Sequence, residues 1–114
     1  MAFDEHLGDR IRTVLGPRRD ISERRMFGGL AFLVNGNMFI GIAGADLMVR
    51  VGPDEHEKAL SRPHARPMDF TGRPMKGYVY VAPAGVRTSK TLDKWIKAGL
   101  SFAQSLPAKK SKKL

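Results

Sequence analysis

The side chains of this sequence that could support catalysis or bind a metal do not form a recognisable site. His6, His56 and His64 lie far apart, and no pair has the spacing of four residues or of a short loop that metal sites use. Asp54, Glu55, His56 and Glu57 are consecutive, so on a helix they would point in different directions and fit a polar helix start better than an ion site. We therefore expect no catalytic residues, no metal and no cofactor, and hence a protein that is not an enzyme.

Cysteine content and hydropathy narrow the class of protein further. With 0 cysteines in 114 residues, disulfides, thiolate metal sites and cysteine nucleophiles are excluded. The N-terminus lacks the basic and apolar regions of a signal peptide, and no window approaches the ~18 apolar residues of a membrane span. The sequence therefore predicts a cytoplasmic protein with no membrane partner.

Basic residues give the chain a formal net charge of +9, and they fall in two groups. One is an arginine group between positions 18 and 25, and the other is a run of lysines in the last six residues. Both could bind the phosphates of a nucleic acid, but a solvated connection and a disordered tail are the alternative interpretations. The residues are Arg18, Arg19, Arg24, Arg25, Lys109, Lys110, Lys112 and Lys113.

The first half of the chain predicts one helix and three strands. Phe3, Leu7, Ile11 and Val14 recur at helical spacing, and Gly16-Pro17 closes that segment. Two apolar runs that favour strands flank Asn35-Gly36-Asn37, residues that accept the positive φ of a tight hairpin. A third strand follows Gly44, and the pair Gly28-Gly29 is interpreted as a bulge or bend within the first strand.

The second half predicts a short helix, a second hairpin and a last helix. Pro53 suits the first position of the short helix, and Pro63 ends it. Strands over 66–70 and 76–82 follow, with Pro67 indicating that the first of them lies at a sheet edge. Thr88 or Ser89 can cap the last helix, on which Gly99 indicates close packing.

These elements predict an α+β protein that folds as a two-layer α/β sandwich. The order is α-β-β-β-α-β-β-α, with an antiparallel five-stranded sheet, and a length of 114 residues fits one domain over 1–107. Residues 108–114 are predicted to be a basic, disordered tail. Three helices cannot cover both faces of five strands, so one sheet face should remain open.

Several segments together resemble one known family, the N-terminal domain of the TfoX/Sxy proteins. They are Arg25-Met26-Phe27-Gly28-Gly29, Asn37-Met38-Phe39, the segment from Asp46 to Val51, Met68-Asp69-Phe70, the segment from Gly77 to Val81, and a closing helix with a tryptophan. The resemblance covers the chain from about Phe3 to Leu106. It implies a two-layer α/β domain with an antiparallel sheet of secretion-chaperone-like topology and no catalytic residues. The founding members of the family regulate natural competence genes, but a shared fold does not by itself transfer that role.

Two hypotheses of function follow. The first is a non-catalytic regulatory or protein-interaction domain, which forms a homodimer or binds another protein through its open sheet face or an edge strand. Apolar and aromatic side chains would form that surface: Phe27, Met38, Phe39, Tyr78 and Tyr80. The alternative is a nucleic-acid-binding accessory protein of transcription, which would use the arginine group and the lysine tail.

Overall fold

The computed structural model describes residues 3–26, 28–68 and 75–107. Three helices and six strands follow one another along this part of the chain. In order they are α1 (Glu5–Leu15), β1 (Ile21–Met26), β2 (Gly29–Val34), β3 (Asn37–Ala43), β4 (Asp46–Arg50), α2 (His56–Leu60), β5 (Ala65–Pro67), β6 (Tyr78–Val81) and α3 (Ser89–Gln104). Single 3₁₀ turns, Pro53–Glu55 and Pro83–Val86, precede α2 and α3.

The strands form one antiparallel sheet in the spatial order β1-β2-β3-β4-β6-β5. The mixed α and β composition and the antiparallel sheet are as predicted, but the expectation of five strands is wrong. Gly28 adopts φ 75° in a turn, so the chain reverses there and the segment before it pairs with β2 as a separate strand. What the sequence suggested to be a bulge is therefore the turn of an additional hairpin.

All three helices pack on the same face of the sheet. Leu7 and Ile11 from α1, Ala59 from α2, and Trp95 and Ile96 from α3 belong to one buried cluster. Their partners in the sheet are alternate residues of the central strands, such as Leu30, Phe32 and Val34 of β2. Because each of these side chains is almost fully removed from water, this cluster is the main hydrophobic core.

Local sequence explains where the elements begin and turn. The side chain of Asp4 accepts a hydrogen bond from the N–H of Leu7 and caps α1, and Thr88 caps α3 by accepting from the N–H of Thr91. Asn35 and Gly36 have φ values of 52° and 82°, as a two-residue hairpin turn requires. The predicted cap of α3 and the predicted hairpin are both confirmed.

Helix α3 approaches the sheet closely at Gly99. A Cβ on this glycine would lie 2.5 Å from the carbonyl oxygen of Phe39, so only glycine allows α3 to sit this near β3. At the same place Phe39 is an extra residue in β3: Phe32 pairs with Ile40 and Leu33 pairs with Met38, which leaves Phe39 without a partner in β2. The bulge turns Phe39 as well as Ile40 into the main core.

The two outer strands differ in how much free edge they offer. β1 is six residues long, whereas β5 has three residues and ends with Pro67. The predicted edge position of Pro67 is thus confirmed. None of the helices in the described part of the chain combines the length and the apolar character needed to cross a membrane.

Candidate interaction surface

The sheet face opposite the helices presents one continuous row of side chains across all six strands. The strand registers place these residues side by side, from β1 to β5: Arg24, Ala31, Gly41, Met48, Tyr80 and Arg66. A second row lies beside it and contains Ser22, Leu33, Met38, Arg50 and Tyr78. We call these eleven residues the open face; the part formed by β2 and β3 is apolar, an arginine stands at each end of the first row, and Arg50 pairs with Tyr78 in the second.

Apolar side chains on the open face are buried although no helix covers them. Ala31, Leu33 and Met48 are each less than a tenth exposed, and none belongs to the main core. Met48 lies across Gly41, where its terminal methyl would be 3.0 Å from an added Cβ. In β2 every residue is buried, a pattern typical of strands that are covered on both faces.

Larger, partly exposed side chains lie around these buried residues. Met38, Tyr78 and Tyr80 are each of intermediate exposure. Met68, which follows β5, is a further buried apolar residue outside the main core. The flexible side chain of methionine adapts to a partner's shape, and both methionine and tyrosine are enriched at protein interfaces.

The two ends of the row differ in how their arginines are engaged. Arg66 donates a 2.7 Å hydrogen bond to the carboxylate of Asp46, and its guanidinium lies 4.9 Å from the centre of the Tyr80 ring. Arg24 is exposed, and no acidic side chain among the described residues is within ion-pairing distance of it. The face therefore has a balanced charge pair at one end and an uncompensated positive charge at the other.

The structure brings some of the predicted interaction residues together and separates others. Met38, Tyr78 and Tyr80 lie on the open face. Phe39 does not: it is completely buried beneath α3 because of the bulge in β3, so its assignment to the exposed surface is corrected. Phe27 lies outside the described residues.

The predicted phosphate-binding arginines do not form one surface. Arg24 pairs in register with Ala31 on the open face, whereas Arg25 pairs with Leu30 on the helix side and lies over the ring of Phe3 at 5.1 Å. Arg18 and Arg19 precede β1 at the other end of that strand. The four lysines of 108–114 lie outside the described residues.

A shallow cleft of about 390 Å³ opens between the end of α1 and β1. Arg12 and Glu23 form its wall with two hydrogen bonds of 2.8 Å, which hold the pKa of Glu23 below its ordinary value. Arg18 also lines the cleft and is bonded to Asp20, whose pKa these bonds lower. Both cations are thus already compensated by neighbouring carboxylates, so the cleft offers an anion little additional attraction.

The three histidines differ in exposure and in hydrogen bonding. His6 and His64 are exposed, and His56 is buried with its Nδ1 accepting a 2.9 Å hydrogen bond from the N–H of Gly77. Within residues 3–26, 28–68 and 75–107, no three histidine or acidic side chains converge as a metal site would require. The buried imidazole of His56 stabilises the start of β6, because it accepts the hydrogen bond from Gly77.

Sequence reasoning missed two residues at the end of the sheet. Arg50 lies between the rings of Tyr78 and Phe102, and the buried side chain of Asn37 binds the carbonyl of Pro107. In the sequence, Arg50 belongs only to a strand and Asn37 only to a turn. The sequence shows an arginine in one predicted strand and an alternating Tyr-Val segment in another. Only the pairing of β4 with β6 brings Arg50 next to Tyr78.

Comparison with known proteins identifies a family but no individual relative. The family model of the TfoX N-terminal domain matches residues 13–103. No curated protein matches the chain. No solved structure matches it either.

Proposed function

Because the chain belongs to the TfoX N-terminal domain family, we propose that it is a non-catalytic interaction domain of a regulatory protein, and that a second copy of the chain covers its open face. The observation that carries this proposal is the apolar and aromatic composition of the sheet face that no helix covers, on which Met38, Tyr78 and Tyr80 are partly exposed. An alternating strand with one solvated face would carry polar residues where Ala31 and Leu33 stand.

A second copy is the occupant that suits the chemistry of the face. The middle strands β2 and β3 contribute only apolar residues and glycine to it, so the best complement is another apolar surface. An identical face meets that need, and two copies related by a two-fold axis would each contribute the same patch.

The size of the face indicates a weak dimer. Six strands at about 4.8 Å spacing span roughly 24 Å, and four residues at about 3.4 Å span roughly 14 Å. The outline is therefore on the order of 340 Å², below the ~800 Å² that each partner of a standard interface contributes. We expect dimerisation to depend on concentration within the range of ordinary solution measurements.

Light scattering coupled to size-exclusion chromatography tests the proposal. The mass of the unaltered chain should rise from 12.6 kDa toward twice that value as concentration increases. Tyr80→Lys places a charge on the open face, between Met48 and Arg66, and should keep the chain monomeric. Ser101→Lys adds the same charge on the exposed side of α3 and should leave dimerisation unchanged.

The proposal fails if the unaltered chain is monomeric at every concentration, or if Tyr80→Lys and Ser101→Lys behave alike. Circular dichroism of both variants should first show the spectrum of the unaltered chain. Tyr80 is only partly buried, so its replacement should leave the main core intact.

A further inference from the structure

The outer strand β1 has backbone groups that point away from the rest of the sheet. The N–H of Asn35 donates a 2.9 Å hydrogen bond to the carbonyl of Asp20, and this pair continues the register of β1 with β2. In an antiparallel ladder, hydrogen-bonded pairs alternate with pairs that are not bonded to each other. The backbone groups of Ile21, Glu23 and Arg25 are therefore directed away from β2, to the side where the described residues form no further strand.

The same three residues carry their side chains on the helix side of the sheet. Their register partners in β2 belong to the main core: Val34, Phe32 and Leu30. Residues that lie directly opposite each other in an antiparallel pair have their side chains on the same face. A strand that added to β1 would therefore place every second side chain on the side of α1.

The cleft between the end of α1 and β1 lies beside this free edge. It has a volume of about 390 Å³, and residues 21–23 of β1 form part of its lining. The apolar part of the lining consists of Leu15, Pro17, Ile21 and Phe32. Because Arg12 and Arg18 in the same cleft are already bonded to carboxylates, an apolar side chain suits it better than an anion.

Two adjacent arginines follow Glu23 in β1 and point to opposite faces of the sheet. Arg24 is exposed, and no acidic side chain of the described residues lies within ion-pairing distance of it. The side chain of Arg25 is 68% exposed, and its ion pair with Glu5 has the long distance of 4.0 Å. Both guanidinium groups can therefore accept a carboxylate from an incoming strand.

We propose that β1 is a docking edge for an extended acidic segment of another protein, which adds to the sheet as an outer antiparallel strand. Two consecutive carboxylates of this segment lie opposite Arg25 and Arg24. An apolar side chain three residues further along lies opposite Ile21 and enters the cleft. Backbone hydrogen bonds supply the affinity, and these three side-chain positions supply the specificity. The antiparallel direction agrees with the strand pairs that the sheet already contains.

A second copy of β1 fits this edge less well than an acidic segment does. Two copies that pair antiparallel are related by a two-fold axis normal to the sheet. The two registers that pair most of β1 with its copy place either Glu23 opposite Glu23 or Arg24 opposite Arg24. Like charges directly opposite each other destabilise a strand pair, so the charges of β1 favour a partner of different sequence.

The docking edge goes beyond the proposed function, which concerns the open face. The side chains of Ser22 and Arg24 belong to both, so binding should also be measured on the Tyr80→Lys variant, whose open face we expect to remain free. A chain that binds the segment but is monomeric at every concentration contradicts the proposed function alone. A Tyr80→Lys variant that is monomeric but does not bind contradicts the docking edge alone.

Fluorescence anisotropy with the labelled peptide Ser-Thr-Asp-Glu-Thr-Thr-Leu-Thr-Ser tests the proposal. The peptide carries two acids and a leucine at the required spacing, among threonines that favour a strand. Binding should be saturable. Exchange of the two acids for lysines, or of the leucine for serine, should weaken it by about fivefold or more.

Proline in the peptide tests the register of the added strand. The N–H of the first threonine after the acids lies opposite Glu23 and bonds to β1, so proline there should weaken binding about tenfold. The N–H of the next threonine lies opposite Ser22 and points away from β1, so proline there should have a much smaller effect.

Proline in the protein tests the same hydrogen bonds from the other side. Glu23→Pro removes an N–H that points away from β2, so the pairing of β1 with β2 should remain intact. This variant should bind the peptide about tenfold more weakly than Glu23→Ala, which loses the same carboxylate but keeps the N–H. Circular dichroism of both variants should show the spectrum of the unaltered chain.

A pair of charge variants separates the docking edge from the net charge of the protein. Arg24→Gln with Arg25→Gln should weaken binding about fivefold. Lys58→Gln with Lys94→Gln removes the same charge from exposed positions of α2 and α3 and should leave binding unchanged. The first of these helices packs on β5 and β6, at the opposite edge of the sheet.

Four results would overturn the proposal: no saturable binding, equal effects of the two prolines in the peptide, equal effects of the two charge pairs, or a Tyr80→Lys chain that dimerises until Glu23→Pro is added. The first would remove the site, and the second would exclude strand addition. The third would reduce binding to net charge, and the fourth would assign the edge to a second copy of the chain.

Discussion

The N–H of Gly77 donates a 2.9 Å hydrogen bond to Nδ1 of the buried His56, and this bond joins the start of α2 to the start of β6. The carbonyl of Gly77 in turn accepts hydrogen bonds from the N–H groups of Val51 and Gly52. Gly77 is thus hydrogen-bonded both to His56 in α2 and to Val51 and Gly52, which follow β4. Its φ of 92° would strain any other residue, and an added Cβ would lie 3.1 Å from the carbonyl carbon of Gly52.

Replacing His56 should therefore reveal how much this junction stabilises the fold. His56→Leu fills the space but leaves the buried N–H of Gly77 without an acceptor, which should lower the free energy of unfolding by about 1–3 kcal/mol. His56→Asn places an amide oxygen near the position of Nδ1 and should recover part of that stability. Urea denaturation measures both; equal destabilisation of the two variants would show that the acceptor is unimportant.

Gly99 and Gly8 form a matched pair for testing close packing. Gly99→Ala would drive a methyl group against the carbonyl of Phe39 and should destabilise the protein by about 1–3 kcal/mol, despite the better helix propensity of alanine. In α1, a Cβ on Gly8 would meet Leu30 at an ordinary 3.5 Å, so Gly8→Ala should be neutral or stabilising by up to about 1 kcal/mol. Thermal unfolding measures both variants, and a destabilised Gly8→Ala would contradict this expectation.

The guanidinium carbon of Arg62 lies 3.6 Å from the centre of the Trp95 ring, and burial lowers the pKa of this arginine from its ordinary value. Arg62→Ala should cost about 1 kcal/mol of stability and expose the indole to water. Since Trp95 is the single tryptophan, its emission should shift to longer wavelength. Lys94→Ala, an exposed neighbour on α3, should leave the emission unchanged; a shift in that variant too would mean that the arginine does not shield the ring.

The Arg12–Glu23 ion pair should make part of the stability depend on pH. Hydrogen bonds from Arg12 lower the pKa of Glu23 below 4.5, so its contribution is complete above about 4.5 and is lost as the pH falls through the lowered value. Because both side chains are more than a third exposed, we expect less than about 1 kcal/mol.

Urea denaturation at neutral and acidic pH measures this contribution. Glu23→Gln should narrow the difference in unfolding free energy between the two conditions, and Glu57→Gln, at an exposed position of α2, should not. Identical pH dependence in the unaltered chain and in Glu23→Gln would show that the ion pair contributes nothing.

Local patterns predicted most of the fold, and the errors arose where distant parts of the chain decide the outcome. Asn35-Gly36, Thr88 and the alternation of Tyr78 and Tyr80 with valines each carry their own signal, and the structure confirms them. β1 carries no apolar alternation, because Glu23 faces the helix side and is compensated by Arg12 from another element. A compensated carboxylate cannot be recognised from its neighbours in sequence.

For surface residues, too, local patterns predicted some positions and contacts between distant parts of the chain decided others. Strand periodicity predicts that Tyr78 and Tyr80 lie on the same face of the sheet. The burial of Phe39 depends on the bulge in β3, beside which α3 packs at Gly99. Two hydrogen bonds, from Asn35 to Asp20 and from Asn37 to Pro107, join residues 15 and 70 positions apart. Such bonds fix which segments become neighbours, and a linear pattern does not contain them.

The unequal edges of the sheet limit how far strand pairing can propagate. Pro67 has no N–H to donate, and β5 offers only three residues, so an incoming strand finds few bonds on that side. β1 offers six residues and is therefore the edge on which another strand can add. If two copies joined through β1, both outer edges of the product would be β5, and growth would end there. Strand addition between copies would therefore stop at a pair, because each remaining edge is the short β5 that ends with Pro67.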